Sequence, residues 1–361
     1  MYTLRMEKKV LVWLSWWVDS AVCAYLLQQQ WYTVIAWFMK NYADPENPHC
    51  HTREDRNSAL AVADHLGITT FCIFDFRKEY DETIISYIYE WYKSWYTPNP
   101  DVLCNTKIKF KTFLNAALSL GCCAVATWHY ARITQSAQWY HLLKWVDTNK
   151  DQSYFLSWLD QHQLAHALFP LWWLTKTQVR ALAQEINLPN ATRKDSQWLC
   201  FIGKVPMKEF LKQTLPVQPG PILDTKGNKL WQHDWAWFYT VWQRQWLWLS
   251  WWPWFVISKN VTTNTLIVWS KDEQLLYASA LEATALHWTA WSAPTLPLRC
   301  QAKIRYRQDD QEVNLAQWAK NTMIVTFEQP QRAISSWQTI AFYNNDELIW
   351  SGIIKKPLHT T

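Results

Sequence analysis

The sequence predicts an α/β protein: a doubly wound parallel-sheet domain followed by two smaller β-rich domains. Three observations carry this prediction. Residues 1 to about 130 alternate short apolar runs with helical patterns, and a βαβαβ rhythm closes as a parallel sheet with helices on both faces. Between the first apolar run and the first helical pattern lies the turn Ser15-Trp16-Trp17-Val18-Asp19-Ser20, where open α/β sheets take their ligands, beyond the carboxyl ends of the strands. After about residue 206 the texture changes, and Pro206, Pro216, Pro219 and Pro221 punctuate short strand-like segments.

The elements follow in order. Val10 to Leu14 reads as a buried strand, Val18 to Gln30 as a helix, Val34 to Phe38 as a strand, Arg53 to Leu66 as a helix and Thr70 to Asp75 as a strand. Helical patterns continue at Lys78 to Trp95 and Thr106 to Leu120, with a strand at Cys123 to Thr127. Thr175 and Gln178 have capping-box spacing, which starts a helix running to Ile186; Pro189-Asn190-Ala191-Thr192 then breaks the pattern. Lys226-Gly227-Asn228 marks a hairpin turn. Arg299 to Arg307 alternates basic or polar with apolar residues, so one strand face is expected to present Arg299, Lys303, Arg305 and Arg307. The expected domains are 1–205, 206–275 and 276–361.

A chain of 361 residues with net charge +5 and mean hydropathy −0.27 has ample material for a core, and no run of about 18 apolar residues suggests a membrane span. The charged start, Met1 to Lys9, lacks the apolar stretch of a secretory signal. A cytoplasmic monomer is expected. The mild basic excess is compatible with a nucleic-acid partner. Eight scattered cysteines form no Cys-x-x-Cys pair, which argues against a disulfide scaffold. Three adjacent residues, His49-Cys50-His51, cannot easily converge on one zinc, so no structural metal is expected. Cys23, Cys72, Cys122, Cys123 and Cys300 lie in apolar patterns and read as small buried hydrophobes. The composition is anomalous in one respect: 29 tryptophans stand against 6 glycines, where glycine ordinarily makes up roughly 7% of residues.

Four segments, read together, resemble the tRNA-specific 2-thiouridylases, and the resemblance covers nearly the whole chain. They are Ser15 to Ser20; Pro98-Asn99-Pro100-Asp101-Val102-Leu103-Cys104-Asn105 with Lys107-Ile108-Lys109-Phe110; Asn149-Lys150-Asp151-Gln152-Ser153-Tyr154-Phe155-Leu156; and Lys194-Asp195-Ser196-Gln197-Trp198-Leu199-Cys200-Phe201-Ile202-Gly203. The first alone marks only the ATP-pyrophosphatase superfamily; the two cysteine motifs are family-specific. The resemblance implies an N-terminal ATP-pyrophosphatase domain, a small central β-rich domain and a C-terminal β-barrel.

It also implies ATP, with Mg2+, as co-substrate, held by Ser15, Val18, Asp19 and Ser20, with Met39 at the adenine and Trp128 beside the nucleotide. Cys104 matches the family's nucleophile, Cys200 the cysteine that carries a persulfide, and Asp101 the residue near the target base. In that chemistry ATP adenylates the uridine C2 oxygen, sulfur from the Cys200 persulfide replaces it, and Cys104 releases sulfide or resolves a Cys104–Cys200 disulfide. The implied partners are tRNA, met by Asn99, Pro100, Asp101, His129, Lys150, Asp151, Gln152, Arg305, Tyr306 and Gln338, and a protein that donates persulfide sulfur. Without the motifs, Ser15 to Ser20 would read as helix capping and the basic strand as a solvated face.

The chain departs from the family pattern where glycine is expected, with tryptophan at positions 16, 17, 128, 198, 242, 246, 248, 251, 252 and 337. Each exchange is expected to cost about 1 to 2 kcal/mol where φ is positive and about 1 to 3 kcal/mol in overpacking. Indoles at Trp16 and Trp17 are expected to occupy the phosphate position, so that the chain does not bind ATP productively. Two alternatives compete: a non-catalytic or misfolded RNA-binding chain that retains the family's residue pattern, and another ATP-pyrophosphatase such as an amidotransferase or argininosuccinate synthase relative. The cysteine motifs argue against the latter.

Overall fold

The computed structural model describes residues 8–40, 52–147, 150–193 and 207–358, apart from residues 95, 97, 213, 214, 216, 240, 242, 244–246, 248, 250–253, 261, 270–275, 290–294, 320 and 321. Cys200 and its motif, Asn149, the His49-Cys50-His51 run, and Trp198, Trp242, Trp246, Trp248, Trp251 and Trp252 therefore lie outside the described residues.

The first layer is a parallel sheet. Its strands are β1 (Lys9–Trp13), β2 (Thr33–Lys40), β3 (Phe71–Asp75), β4 (Ala124–Ala126) and, after the hairpin β5 (Arg132–Gln135) and β6 (Tyr140–Leu143), β7 (Ala167–Leu168). They lie in the order β3-β2-β1-β4-β7, and every pairing is parallel. β1 is buried on both faces, so it reads as an unbroken apolar run rather than an alternating one. Val10, Val12 and Leu14 pack on one side with helices α1 (Val18–Gln29) and α2 (Thr52–His65), and with a later helix at 176–185. Leu11 and Trp13 face the other side.

That other side is covered by two long helical runs, each interrupted by a π-helical stretch. α3 (Arg77–Tyr80) passes through Asp81–Ile85 into α4 (Ser86–Lys93), and α5 (Pro100–Leu103) through Cys104–Thr112 into α6 (Phe113–Ser119). Helices on both faces make the sheet doubly wound, as the sequence predicts. The helical part of the second run begins at Pro100, six residues before the patterned start at Thr106, because Asn99 caps it and Pro100 suits the first helical position. Further on lie α7 (Gln161–Ala165), α8 (Lys176–Glu185) and α9 (Met207–Lys212). The expected capping box of α8 is present, with Thr175 and Gln178 bonded reciprocally.

Strands β8 (Gly220–Leu223), β9 (Lys229–His233), β10 (Phe255–Asn260) and β11 (Thr265–Trp269) form a second sheet, ordered β10-β11-β8-β9. The turn between β8 and β9 is the predicted hairpin, with Gly227 at φ 85°. The third sheet comprises β12 (Tyr277–Trp288), β13 (Leu298–Lys303), β14 (Gln311–Ala319), β15 (Thr322–Arg332), β16 (Thr339–Asn344) and β17 (Glu347–Leu358). Its order is β12-β15-β14-β13-β16-β17, and β12 also pairs with β17, which closes an antiparallel barrel and removes its edges.

The barrel is tied to the first layer. β17 pairs with β6, so the β5–β6 hairpin extends the barrel sheet. Behind that joint lies a charge cluster in which Lys144, Lys303 and Asp151 are buried and Asp310 is exposed: Lys144 Nζ is 2.7 Å from Asp310 Oδ2, and Lys303 Nζ is 3.7 Å from both Asp151 and Asp310. This corrects the expected basic strand face. β13 ends at Lys303, which is buried; Arg305 and Arg307 follow in a turn, with Arg307 at φ 63°, and Arg299 pairs with Glu312 and Glu328. Of the cysteines read as buried, Cys23, Cys122 and Cys300 are buried, Cys72 is half-buried and Cys123 is exposed.

Candidate active site

The strand order reverses between β1 and β4, and the loops leaving their carboxyl ends, 14–17 and 127–131, open the crevice expected of such a sheet. The first loop is closed by its own hydroxyls. Ser15 and Ser20 approach to 3.0 Å between their Oγ atoms, the Ser15 amide donates to Ser20 Oγ at 3.1 Å, and the Ser20 hydroxyl reaches the Trp17 carbonyl at 2.8 Å. Trp17 is the residue before α1 and gives no side-chain cap. Val18 and Asp19 open the helix and are buried.

Asp19 is held by residues from two later segments. Lys176 Nζ lies 2.5 and 2.7 Å from its carboxylate oxygens, and the Tyr130 hydroxyl donates to it at 3.1 Å. Burial, reinforced by the Asp19 charge, pushes the nearby Cys23 thiol well above its usual range. Neither Lys176 nor Tyr130 carried a motif signal. Their partnership with Asp19 arises only when α8 packs beside α1.

The second half of the crevice is built on α5 and the π-helical stretch after it. Cys104 opens that stretch and is 2% exposed. A π turn brings residues five apart into register, so Lys109 sits one turn beyond Cys104. Lys109 is buried, with Nζ 3.5 Å from His129 Nε2, 5.3 Å from the centre of the Trp13 ring and 5.7 Å from that of Trp128. Burial, aided by the Lys109 charge, holds the His129 imidazole well below its usual range, hence neutral. A neutral ring that accepts the lysine proton at Nε2 must carry its own proton on Nδ1, which then donates to Thr127 Oγ1 at 2.7 Å. Burial raises the Asp101 carboxyl, and Lys109 partly offsets the rise. The Lys107-Ile108-Lys109-Phe110 motif does not by itself assign Lys109 a role; its contacts with His129, Trp13 and Trp128 arise only in the fold.

Of the expected tRNA-facing residues, Tyr306 and Gln338 reach the first layer from the barrel. Tyr306 packs on Phe155 with ring centres 4.4 Å apart, and burial raises its hydroxyl, with Asp151 and Asp101 among the charges it feels. The Gln338 amide approaches the Pro98 carbonyl at 3.5 Å, next to Asn99, which caps α5, and the buried Pro100. Arg305 donates to the Arg332 carbonyl. Lys150 is half-buried, and Gln152 exchanges backbone and side-chain hydrogen bonds with Tyr130. Asp151 faces inward instead: it is 5% exposed and accepts from the Trp145 amide, the Ser153 amide and the Ser153 hydroxyl.

The nucleotide side divides. Met39 lies buried at the end of β2, where an adenine-contacting residue is expected. The phosphate side does not fit. Two amides of the loop already donate to loop hydroxyls, since Trp17 N–H meets Ser15 Oγ at 3.3 Å and Ser15 N–H meets Ser20 Oγ. The Trp16 and Trp17 indoles sit 5.2 Å apart at the helix start, with the Arg193 guanidinium 5.7 and 5.9 Å from their rings. Trp128 packs against Trp13 at 5.5 Å. Trp16, Trp17 and Trp128 are absent from the left-handed region, so their cost is steric alone, whereas Trp337 has φ 70°. No group of three potential metal ligands occurs among the described residues, and no helix among them is long and apolar enough to cross a membrane.

Comparison with known proteins adds the following. Residues 8–204 match the family described as tRNA methyl transferase HUP domain, residues 208–270 the tRNA methyl transferase PRC-barrel domain and residues 278–354 the aminomethyltransferase β-barrel domain. The chain is 46% identical to the tRNA-specific 2-thiouridylase MnmA of Nitrosococcus oceani over 356 residues, covering 96% of this chain and 97% of that one. It is 44% identical to the MnmA of Shouchella clausii, covering 98% of each chain. Identity to the MnmA of Exiguobacterium sibiricum is also 44%, over 94% of this chain and 92% of that one.

Proposed function

This chain belongs to the tRNA-specific 2-thiouridylase family, and from that premise we propose that it is built as a tRNA-uridine 2-sulfurtransferase whose nucleotide step is impaired by its tryptophans. The observation that carries the reading is what gathers on the helical run of Cys104. Asp101 and Lys109 flank it on one helical run, His129 meets Lys109 from the end of β4, and Tyr306 and Gln338 approach from the barrel.

We assign the thiol half of the reaction to Cys104 and to Cys200, which lies outside the described residues. The Cys104 thiolate attacks the inner sulfur of a persulfide on Cys200, which forms a Cys104–Cys200 disulfide and expels hydrosulfide. The hydrosulfide attacks C2 of a uridine whose oxygen ATP has already adenylated, the C2–O bond breaks with AMP as the leaving group, and an external dithiol reduces the disulfide. The persulfide's outer sulfur comes from a partner sulfur-donor protein. Asp101, whose carboxyl is raised by burial, is assigned a hydrogen bond to the uracil edge. Lys109 and neutral His129 form a fixed polar floor beneath it. Arg305, Lys150 and Gln152 are assigned as phosphate and sugar contacts for tRNA.

Activation of the uridine oxygen in this family draws on ATP with Mg2+. Met39 is assigned to the base, but the loop from Ser15 to Ser20 does not fit the phosphates, so no activation step is assigned to the chain as it stands. The test is formation of 2-thiouridine in tRNA with ATP and a persulfide donor, comparing this chain, a W16G/W17G/W128G variant and the same variant with Cys104→Ser. The reading expects product only from the glycine variant with Cys104 intact. Product that survives Cys104→Ser would refute it. Salt-dependent tRNA binding with no product from any variant would favour a non-catalytic RNA-binding chain.

A further inference from the structure

Four helices of this protein end in the same way. After α1, α2, α6 and α8 the chain makes a paired 6→1 and 5→2 hydrogen-bond turn: Tyr32 N–H to the Leu27 carbonyl and Trp31 N–H to Gln28, Ile68 to Ala63 and Gly67 to Asp64, Cys122 to Ala117 and Gly121 to Leu118, Leu188 to Ala183 and Asn187 to Gln184. This turn requires a left-handed residue just past the helix, a place for glycine or, less often, asparagine. Three of the four obey, with Gly67 at φ 64°, Gly121 at φ 73° and Asn187 at φ 54°. The fourth is Trp31 at φ 65°, with its indole 79% exposed. No contact rewards the strained backbone there. Trp337, at φ 70°, repeats the conflict in the turn before β16.

An independent sign comes from the interior. A buried indole N–H ordinarily finds an acceptor. Here Nε1 of Trp37, Trp145, Trp235, Trp269 and Trp350 is buried with no hydrogen-bond partner among the described residues. Trp37 and Trp350 are also among the largest fully buried side chains. The excess of one residue type, 29 tryptophans, matches the dearth of the other, 6 glycines.

We infer that glycine is the residue placed at Trp31 and Trp337, and at the buried positions Trp37 and Trp350, when the cell translates its own gene. One decoding event accounts for a one-way exchange at many sites. The codon UGA is read as tryptophan by some translation systems and as glycine by others, so UGA codons read as glycine give glycine wherever this sequence carries a misplaced tryptophan. The inference rests on backbone angles and hydrogen bonding; where it holds, the impaired nucleotide step belongs to the chain with tryptophan and not to the protein with glycine, while the family's reaction is unaffected.

The test is tandem mass spectrometry on the protein purified from the cell that makes it. Cleavage after Lys and Arg yields residues 10–40, which hold Trp31 and Trp37, and residues 333–355, which hold Trp337 and Trp350. Glycine at all four positions is the expected result, together with weak absorbance at the tryptophan band. Tryptophan at Trp31 or Trp337 in that material would overturn the inference.

Discussion

Trp31→Gly isolates the backbone term better than any other substitution here. Trp31 sits in a left-handed conformation with its side chain 79% exposed, so truncation removes almost no packing. A non-glycine residue in that region costs about 1 to 2 kcal/mol. Glycine returns about 0.4 to 1 kcal/mol of that through the greater freedom of its unfolded chain. The balance is a gain of about 0.5 to 1 kcal/mol, which raises the melting temperature by roughly 1 to 4 °C for a domain of this size. The assay is thermal and urea unfolding followed by far-ultraviolet circular dichroism, with Trp31→Ala as the control. Alanine removes the indole but keeps the strain, so it should leave stability nearly unchanged. If alanine stabilises as much as glycine, or if glycine destabilises, the strain argument fails.

Three further outcomes follow from the same geometry. Asp151→Ala leaves Lys303 and two backbone amides without a buried acceptor, and should cost about 3 to 5 kcal/mol in urea unfolding; a loss under about 1 kcal/mol would show that the cluster does not hold the barrel to the first layer. Burial pushes His233 down to about 4 from 6.5, and also lowers His129 and His287. The unfolded chain therefore binds protons that the folded chain does not, and stability should fall as pH drops from 6.5 toward about 4; a urea midpoint flat across that window would contradict the neutral histidines. Lys109→Met should abolish 2-thiouridine formation in the W16G/W17G/W128G background while leaving the far-ultraviolet spectrum intact, because Lys109 lies under the crevice rather than in a helix-stabilising pair; full activity would exclude it from the site.

Much of the fold was legible because its signals are local. β1 is an apolar run buried on both faces, α8 announces itself through Thr175 and Gln178, and the β8–β9 turn through Gly227. The basic strand failed because alternation beyond Lys303 looked like strand while the chain turned, and because Lys303 found a buried acid 152 positions away at Asp151 and an exposed one close by at Asp310. Within the site, the Cys104 and Asp101 motif was readable, whereas Lys176 on Asp19 and Lys109 on His129 depend on packing between segments far apart in the chain. The inward role of Asp151 was hidden for the same reason: its partners Lys303 and Tyr343, through Ser153, come from the barrel. Tryptophan at glycine positions was visible as composition. Only φ at Trp31 and Trp337, and the unpartnered indoles, separate backbone conflict from crowding.

The most direct test of the account is ATP binding by calorimetry, comparing this chain with W16G/W17G/W128G at equal folded fraction. The account predicts no binding at micromolar ATP for the chain with its tryptophans and measurable binding for the glycine variant. Equal affinity in the two would contradict the claim that Trp16 and Trp17 fill the phosphate side of a retained nucleotide site.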